Sequence, residues 1–370
     1  MRHSNPFHPF DLAPRRLWTG FVIVVCLLGV TGCHHPFKVS MESPIRMDMV
    51  KPLEMTTEVT TRNPPDNRAT PIAGRHLTSE SVPQCRPGVA LIDVDGLLVN
   101  RNRKGFGSMG ENPLALFREK LATVAADPRA RAVVLRINSP GGSVTAADIM
   151  RRDLMEFQNE TGLPVIACLM DTGTGGAYYL ATGCDQIVAH PTSIVGAVGI
   201  ILNLYGLEDT MAQFNAVERA IRAGERVDAG SPVRPIEDEE VQMLQQIADQ
   251  FHERFIETIV AARPSYDGEP ARDFDGRVFT ASNALDLGLV DRVGYLDDAL
   301  SIAGSMGGFA EPVPPVLLYR RPNDRANTPY DITPNVPLQN DLFPLSIPGL
   351  ERASLPVFLF VWQLDPSLEI

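Results

Sequence analysis

The chain has 370 residues, of which 44% are hydrophobic and 21% are charged, and its formal net charge is −12. This length allows one large domain or two, with a sizeable buried core. The negative charge argues against nucleic acid as a partner, because phosphate binding requires clustered lysine and arginine.

The N-terminus is expected to direct export. Arg15 and Arg16 precede an apolar run, 17–30, that is shorter than the roughly 20 residues of a membrane-spanning helix. The following VTGC sequence resembles a bacterial lipobox, so residues 1–33 are interpreted as a lipoprotein signal peptide and Cys33 as the lipidated residue. An uncleaved anchor helix is the alternative. In both cases most of the chain is exported to the cell envelope, faces the periplasm and is held at the membrane.

The rest of the chain divides by composition into three parts. Residues 34–87 are rich in proline, threonine and charge, and are expected to form a flexible tether. A folded domain is predicted for 88–303 and a proline-rich C-terminal extension for 304–370. The last apolar run, LPVFLFVWQLDP, is too short to span a bilayer. A strand docked on the core or on a neighbouring subunit is favoured over a membrane contact.

Strands and helices alternate through the folded domain. Strands are predicted at 132–137, 164–169, 186–189, 193–202 and 219–222, after a strand or strand pair at 89–99. Helices are predicted at 113–126, 144–160, 176–184, 207–214 and 236–262. A strand, a helix capped by Thr280 or Ser282, and a strand follow within 276–294. This alternation predicts an α/β layered fold.

A glycine-rich segment between a predicted strand and a predicted helix is the main candidate site. The segment reads MDTGTGGAYYLATGC, from Met170 to Cys184. Hydrolases often carry a nucleophile where a strand turns sharply into a helix, because the helix N-terminus offers unpaired N–H groups and the positive end of a dipole. The turn is predicted here, but the residue expected to carry the nucleophile is not recognisable.

Several motifs in continuous order, from about Val89 to Ala303, resemble the peptidase S49 family, of the signal peptide peptidase A type, in the ClpP/crotonase superfamily. They are NSPGGSV, DTGTGGAYYLATGCDQIVAHPTSIVGAVG, AGERVDAGSPVRPIEDEEVQMLQQI and GRVFTASNALDLGLVDRVGYLDDA. The resemblance implies a ClpP/crotonase-like layered fold of repeated β-β-α units, serine-type endopeptidase activity with peptide or signal-peptide-like substrates, a homo-oligomer, and no cofactor.

The resemblance also shows where this chain departs from the family. The family hydrolyses peptides with a Ser/Lys dyad, in which a neutral lysine takes the serine proton. The family motif D-x-A-A-S-G-G-Y-Y places Gly175 at the nucleophile position, and S-G-K-Y-K-D-A-G-S-P places Val227 at the lysine position. Glycine amides that stabilise the oxyanion or bind the peptide are implied at Gly141, Gly142 and Gly176.

Other residues are weighed as substitutes for the dyad. Thr174 is the alternative nucleophile, although a shift of one residue at a helix start rotates a side chain by about 100°. Thr172 and Ser139 are weaker candidates, and Arg226 stays protonated and cannot be a base. No lysine follows Lys120, so a dyad shared between subunits would need Lys104 or Lys120. Structural roles are favoured for His190, His252, Tyr178 and Asp171, and for buried Cys168 and Cys184. No metal-ligand spacing is found.

Four functions are compatible with these observations. The favoured one is a catalytically impaired S49 homologue that binds peptides or acts as an envelope scaffold. The alternative is an active serine- or threonine-type peptidase that cleaves signal peptides or misfolded envelope proteins with a nonstandard nucleophile. A crotonase-like acyl-thioester enzyme is disfavoured, because an exported chain would rarely meet coenzyme A. A purely structural envelope protein is the fourth.

Overall fold

The computed structural model describes residues 39–41, 57–59, 72–77, 85–102, 111–215, 218–310, 314–320, 328–329 and 358–361. The chain forms two compact units, Met1–Pro65 and Asp66–Ile370. In the first unit, β1 (Val39–Met41) and β2 (Thr57–Val59) pair antiparallel. The signal-peptide and lipobox predictions lie outside the described residues. Everything below concerns the second unit.

A nine-stranded sheet forms the centre of the second unit. Its main path is β10-β9-β7-β5-β4-β12-β3, with β8 paired to β7 and β11 to β8. The strands are β3 (Ala73–His76), β4 (Gly88–Asp95), β5 (Ala130–Ser139), β7 (Val165–Thr174), β8 (Gln186–Ala189), β9 (Ile194–Gly196), β10 (Val278–Thr280), β11 (Arg292–Val293) and β12 (Val316–Arg320). Strands β4, β5 and β7 are mutually parallel and buried on both faces, as their continuous apolar runs indicate.

Two short strands lie outside this sheet and pair with each other. They are β6 (Gly141–Ser143) and β13 (Leu359–Val361). The helices described are α1 (Pro113–Ala126), α2 (Val144–Thr161), α3 (Gly176–Ala181), α4 (Glu208–Gln213), α5 (Asp238–Ala262), α6 (Pro270–Asp273), α7 (Ala281–Asp286) and α8 (Leu296–Met306). Thr280, rather than Ser282, caps α7 by accepting a hydrogen bond from the N–H of Asn283.

Each face of the central sheet has its own core, because successive side chains of a strand point to opposite faces. In β5, for example, Val133 and Leu135 belong to one core and Ala132 and Val134 to the other. The first core also contains buried side chains of α1, α2 and α3, and the second contains those of α8. The result is the layered α/β fold that the alternation of elements predicted.

Strand β7 is longer than predicted and continues through the glycine-rich segment. Residues 166–169 pair with β8, and residues 172–174 pair with β9, which takes over as neighbour where β8 has ended. The peptide groups of 172–174 therefore form hydrogen bonds within the sheet. The sharp turn into the helix is made by a single residue, Gly175. A continuous ladder positions this residue more firmly than a loop would.

Two predicted strands differ from the structure. The strand predicted at 219–222 is wrong, because these residues have no ladder partner and the Ile221 side chain is fully exposed. The strand predicted at 193–202 is regular only at 194–196, and an isolated bridge at Ile201 follows. The strand at 193–202 was predicted from its apolar run, whereas 219–222 (RAIR) carries two arginines and a weaker pattern. A segment becomes a strand only where a sheet neighbour pairs with it.

Strands β3 and β12 lie within the ranges predicted as tether and extension. Strand β12 pairs parallel with β4 and antiparallel with β3. Together, β12 and β3 extend the sheet by two strands beyond β4. All five residues of β12 are buried. The reason is that β4 would otherwise expose an apolar edge with unpaired N–H and C=O groups.

Candidate active site

Gly175 forms the turn between β7 and α3. Its φ is 54° and its ψ is −125°, a combination that residues with a Cβ rarely adopt. Its N–H donates to the carbonyl of Gly196 at 2.9 Å, and its own carbonyl accepts from the N–H of Tyr179 at 3.0 Å. The backbone thus has the strand-turn-helix geometry of a nucleophile elbow, with hydrogen as the side chain.

Strand β6 lies beside this turn and supplies Gly141 and Gly142. Leu98 flanks one edge of β6, since its N–H donates to the Gly141 carbonyl and its carbonyl accepts from the Ser143 N–H, both at 2.9 Å. The hydroxyl of buried Ser139 accepts from the Gly141 N–H at 3.1 Å and holds the turn into β6. Ser139, a weaker nucleophile candidate, therefore has a structural role here.

The other edge of β6 is occupied by the C-terminal segment of the same chain. Strand β13 runs antiparallel to β6, with Phe360 opposite Gly142 and Leu359 opposite Ser143. On its far side, Leu359 exchanges two backbone hydrogen bonds with Ile201, of 2.9 and 3.1 Å. The segment lies as an extended strand in a groove between β6 and the bridge residue Ile201, with main-chain hydrogen bonds on both sides.

The Phe360 carbonyl lies against the glycines of the predicted site. A Cβ built on Gly141 would be 1.9 Å from this carbonyl oxygen, one on Gly175 would be 2.4 Å from it, and one on Gly176 would be 3.4 Å from it. The structure therefore brings the predicted nucleophile position and the predicted oxyanion glycines together around one peptide group. The backbone of Phe360 fills the space that a side chain at position 175 would need.

An aromatic pocket below the turn receives the Phe360 side chain. Its ring centroid is 4.5 Å from that of Phe255 on α5 and 5.5 Å from that of Tyr179 on α3, and the residue is 1% exposed. The Tyr179 hydroxyl donates to Asp148 at 2.8 Å, and Asp148 also accepts from Arg254 at 2.9 Å. Burial raises the pKa of Asp148, but the bonds from Arg254 and Tyr179 outweigh this effect and lower it.

The alternative nucleophile, Thr174, lies inside the protein. Its residue exposure is 0%, and its hydroxyl is buried without a hydrogen-bond partner among the described residues. A hydroxyl nucleophile needs an adjacent base and access to the substrate carbonyl. Among the described residues neither an adjacent base nor access to a substrate is found at Thr174, which disfavours the alternative.

The lysine position, Val227, lies in the turns between α4 and α5, and its side chain is 68% exposed. Neighbouring charged residues make ion pairs with one another, as Arg226 does with Glu239 and Arg234 with Asp228 and Glu240. No described contact joins this segment to Gly175.

Lys120 is buried, and its described contacts do not include residues of the elbow. Its Nζ donates to the Asp93 carbonyl at 3.2 Å, and burial lowers its pKa. The carboxylate of Asp93 in turn contacts Arg136 and Arg320 at 2.7 and 3.2 Å. Lys120 is therefore part of a buried charge cluster. Lys104, the other lysine considered, lies outside the described residues.

The two core histidines and the motif tyrosine make structural hydrogen bonds. His252 Nε2 contacts the carbonyls of Phe274 at 2.7 Å and Val198 at 3.1 Å, and His190 Nδ1 contacts the Thr192 hydroxyl at 2.8 Å. The Tyr178 hydroxyl donates to the Leu289 carbonyl at 2.7 Å.

Asp171 and two cysteines of the core are the remaining residues for which a structural role was expected. Asp171 accepts from the Asn138 amide at 3.2 Å. Cys168 is a buried free thiol whose pKa is raised by burial to about 12, and Cys184 is also free. In the part of the chain that the structure describes, no three His, Cys, Asp or Glu residues could jointly hold a metal.

The aromatic pocket was missed from the sequence alone. Tyr179 lies in the quoted motif and Phe255 in the helix predicted at 236–262, and nothing in their spacing joins them to Phe360. The one available signal was the alternation of aromatic and aliphatic residues at 358–361, which is typical of a strand. The sequence predicts that this apolar run docks as a strand, but it does not predict which part of the core the strand contacts.

Comparison with known proteins agrees with this geometry. The model of peptidase family S49 matches residues 157–306. A presumed protease of Synechocystis is 31% identical over 60% of this chain and 76% of its own length. A presumed signal peptide peptidase, SppA, of Enterococcus faecium is 23% identical over 57% of this chain and 61% of its own.

Among solved structures, a mutant of the 1510-N membrane-bound stomatin-specific protease overlaps 62% of this chain and 89% of its own, at 15% identity and a TM-score of 0.38. The layered α/β fold, the strand-turn-helix elbow and the family match lead to one conclusion. The chain is a layered α/β protein that belongs to peptidase family S49.

Proposed function

We propose that this protein is an exported, membrane-tethered S49 homologue that binds extended peptides but is impaired in hydrolysing them. The observation that carries the proposal is the occupied groove. It holds an extended backbone with its carbonyl against three glycines, while position 175 has no side chain to attack that carbonyl. Binding by addition of a strand uses main-chain hydrogen bonds and needs no nucleophile.

The residues at the two predicted dyad positions support impairment. A Ser/Lys peptidase needs a hydroxyl at the elbow and a neutral amine within hydrogen-bond reach of it. The positions predicted for these groups hold a glycine and an exposed valine. The close approach of the Phe360 carbonyl to the glycines supports a retained cradle for a peptide group, so the proposed loss concerns chemical turnover rather than binding.

Hydrolysis by the full chain tests this proposal. Unfolded protein and synthetic signal peptides are incubated with the wild type and with Thr174→Val. We expect no turnover by either chain. Wild-type turnover that Thr174→Val abolishes would establish the active threonine peptidase instead.

The ligands proposed are peptides or signal-peptide-like segments in the cell envelope. Direct binding is measured by fluorescence anisotropy of a labelled apolar peptide, and saturable binding without cleavage is expected. A scaffold role without peptide binding predicts no saturable signal.

A homo-oligomer is proposed with the same function. The segment between α3 and α5 exposes large apolar side chains, among them Phe214 at 80% and Ile221 at 100%. Exposed apolar residues clustered in one region mark protein contacts. Light scattering coupled to gel filtration is expected to give a multiple of the chain mass.

A further inference from the structure

The C-terminal strand occupies its groove through both backbone and side chains. Phe358 accepts a hydrogen bond from the Val144 N–H at 3.3 Å, and Leu359 bonds to Ile201 on the opposite side. Alternate residues thus pair with opposite walls of the groove, as in the middle strand of an antiparallel sheet. Hydrogen-bonded pairs recur every second residue in an antiparallel ladder, so the Gly142 N–H is directed at the carbonyl of Phe360, its paired residue.

Two aromatic side chains anchor the strand. Phe360 is buried among Tyr179 and Phe255, and the Phe358 ring lies 5.3 Å from that of Phe251 on α5. The two rings lie two residues apart, on the same side of the strand, and both contact a hydrophobic stripe of α5. A peptide that lacked apolar groups at these two positions would leave this stripe uncovered.

We propose that residues 358–361 are a built-in ligand of the groove, which other peptides must displace. This inference rests on the proposed peptide-binding function, because it assigns the occupant of the same groove.

The covalent connection makes the tail a strong competitor. A covalently linked segment competes at an effective concentration that reaches about the millimolar range where the linker can span the two sites, so a free peptide of equal intrinsic affinity binds more weakly than it would to an empty groove. Weakening the tail alone, without changing the groove walls, therefore increases the apparent affinity for added peptide. This direction is the opposite of what loss of a structural strand would produce.

The first experiment traps the tail in the full chain by a disulfide. Ser143 and Leu359 face each other as a non-hydrogen-bonded antiparallel pair, for which Cα atoms lie about 4.5 Å apart, within the range of a disulfide. The double variant Ser143→Cys with Leu359→Cys, in a Cys85→Ser background, is oxidised mildly and mapped by mass spectrometry. The matched control, Ser143→Cys with Phe358→Cys, is one residue out of register.

We expect an intramolecular 143–359 disulfide in most molecules and little or none in the control. Equal or absent cross-linking in the two variants would overturn the proposal. A disulfide found only between chains would also overturn it, because the occupant would then belong to a second copy.

The second experiment measures competition. A fluorescein-labelled peptide with the sequence of residues 355–362, LPVFLFVW, is titrated into the wild type, Phe360→Asp and Leu359→Pro. The first variant places a carboxylate in the aromatic pocket, and the second removes the N–H that donates to Ile201. Leu359→Ala keeps that N–H and is the matched control, and circular dichroism checks that each variant is folded.

We expect Phe360→Asp and Leu359→Pro to bind the peptide at least about tenfold more tightly than the wild type, since the competitor is weakened. Equal binding by all chains, without the 143–359 disulfide, would overturn this inference and leave the proposed function intact. A specific disulfide with no peptide binding by any chain would support the tail as ligand and refute the proposed peptide-binding function.

Discussion

At the residue scale, hydrogen side chains make the elbow possible. Gly141 and Gly175 both have positive φ, of 106° and 54°, and both approach the Phe360 carbonyl more closely than a Cβ would permit. Gly142 approaches the Leu98 carbonyl in the same way, at 2.1 Å for a Cβ position. These are positions where glycine allows close backbone approach as well as an unusual dihedral angle.

Thr174, beside this glycine cluster, is expected to be a stability liability. Its hydroxyl is buried without a described partner, and such a group costs about 1–3 kcal/mol. Thr174→Val keeps the shape and removes the hydroxyl, so we expect the free energy of unfolding to rise by up to about 1 kcal/mol, measured by urea denaturation.

Ser139→Ala is the matched control for this change. Ser139 is equally buried, but its hydroxyl accepts from the Gly141 N–H, so its loss is expected to cost about 1 kcal/mol. If Thr174→Val destabilised the protein as much as Ser139→Ala does, the Thr174 hydroxyl would have a partner, and a role in the site would have to be reconsidered.

At the scale of elements, one carboxylate joins the far edge of the sheet to helix α1. Asp127 follows the last residue of α1 and accepts from Arg129 Nη2 at 2.6 Å and from the Tyr319 hydroxyl of β12 at 2.9 Å. Arg129 also donates to the Gly74 carbonyl of β3 at 3.0 Å. The Arg129 hydrogen bond lowers the pKa of Asp127 to about 2, despite partial burial.

Asp127 is therefore expected to stabilise the fold above pH 4 and to lose this effect in acid. Its folded pKa of about 2 lies below the unfolded value of 3.8, so the stabilisation is complete above 3.8 and disappears as the pH falls through 2. The contribution is at most about 2 kcal/mol. We expect Asp127→Asn to reduce the loss of unfolding free energy between pH 5 and pH 2 by this amount, in denaturation series at each pH.

Asp275→Asn is the control. The pKa of Asp275 is also lowered to about 2, by Arg277, but its side chain is 47% exposed, and solvent screens a pair of this kind. A change as large as that of Asp127→Asn would show that the acid sensitivity does not depend on the β3–β12 edge.

At the scale of the whole molecule, the proposed function depends on export and tethering. The residues predicted to direct both, 1–33, lie outside the described residues. Among the helices that the structure does describe, none is both long enough and apolar enough to cross a bilayer. Membrane attachment is proposed to depend on Cys33.

Cys33→Ser is expected to move the protein from the membrane fraction to the soluble fraction of cells, as measured by fractionation and immunoblotting. The reason is that lipid attachment requires the thiol at the lipobox cysteine. Cys85→Ser replaces an exposed free cysteine within the described residues and is expected to leave the partition unchanged. Membrane association that persists in Cys33→Ser would contradict the lipoprotein assignment and favour the anchor helix.

Elements with strong local patterns, and the family, were predictable from the sequence. Helix α1 has the bounds predicted from its apolar periodicity, with Asn112 as its cap. The helix predicted at 144–160 and the strand predicted at 186–189 also match α2 and β8, because burial of one face leaves a period in the sequence and burial of both faces leaves a short apolar run. The motifs likewise predicted a turn between a strand and a helix, which lies between β7 and α3.

The pairing of segments that are distant in sequence depends on the folded chain. The strand predicted at 219–222 has no sheet neighbour among the described residues, whereas 73–76 and 316–320, in ranges predicted as tether and extension, complete the sheet edge. Residues 358–361 reach the glycine elbow through backbone pairing, which leaves almost no side-chain signature in the sequence. Local periodicity reports whether a segment is buried, but the partner that buries it is a property of the folded chain.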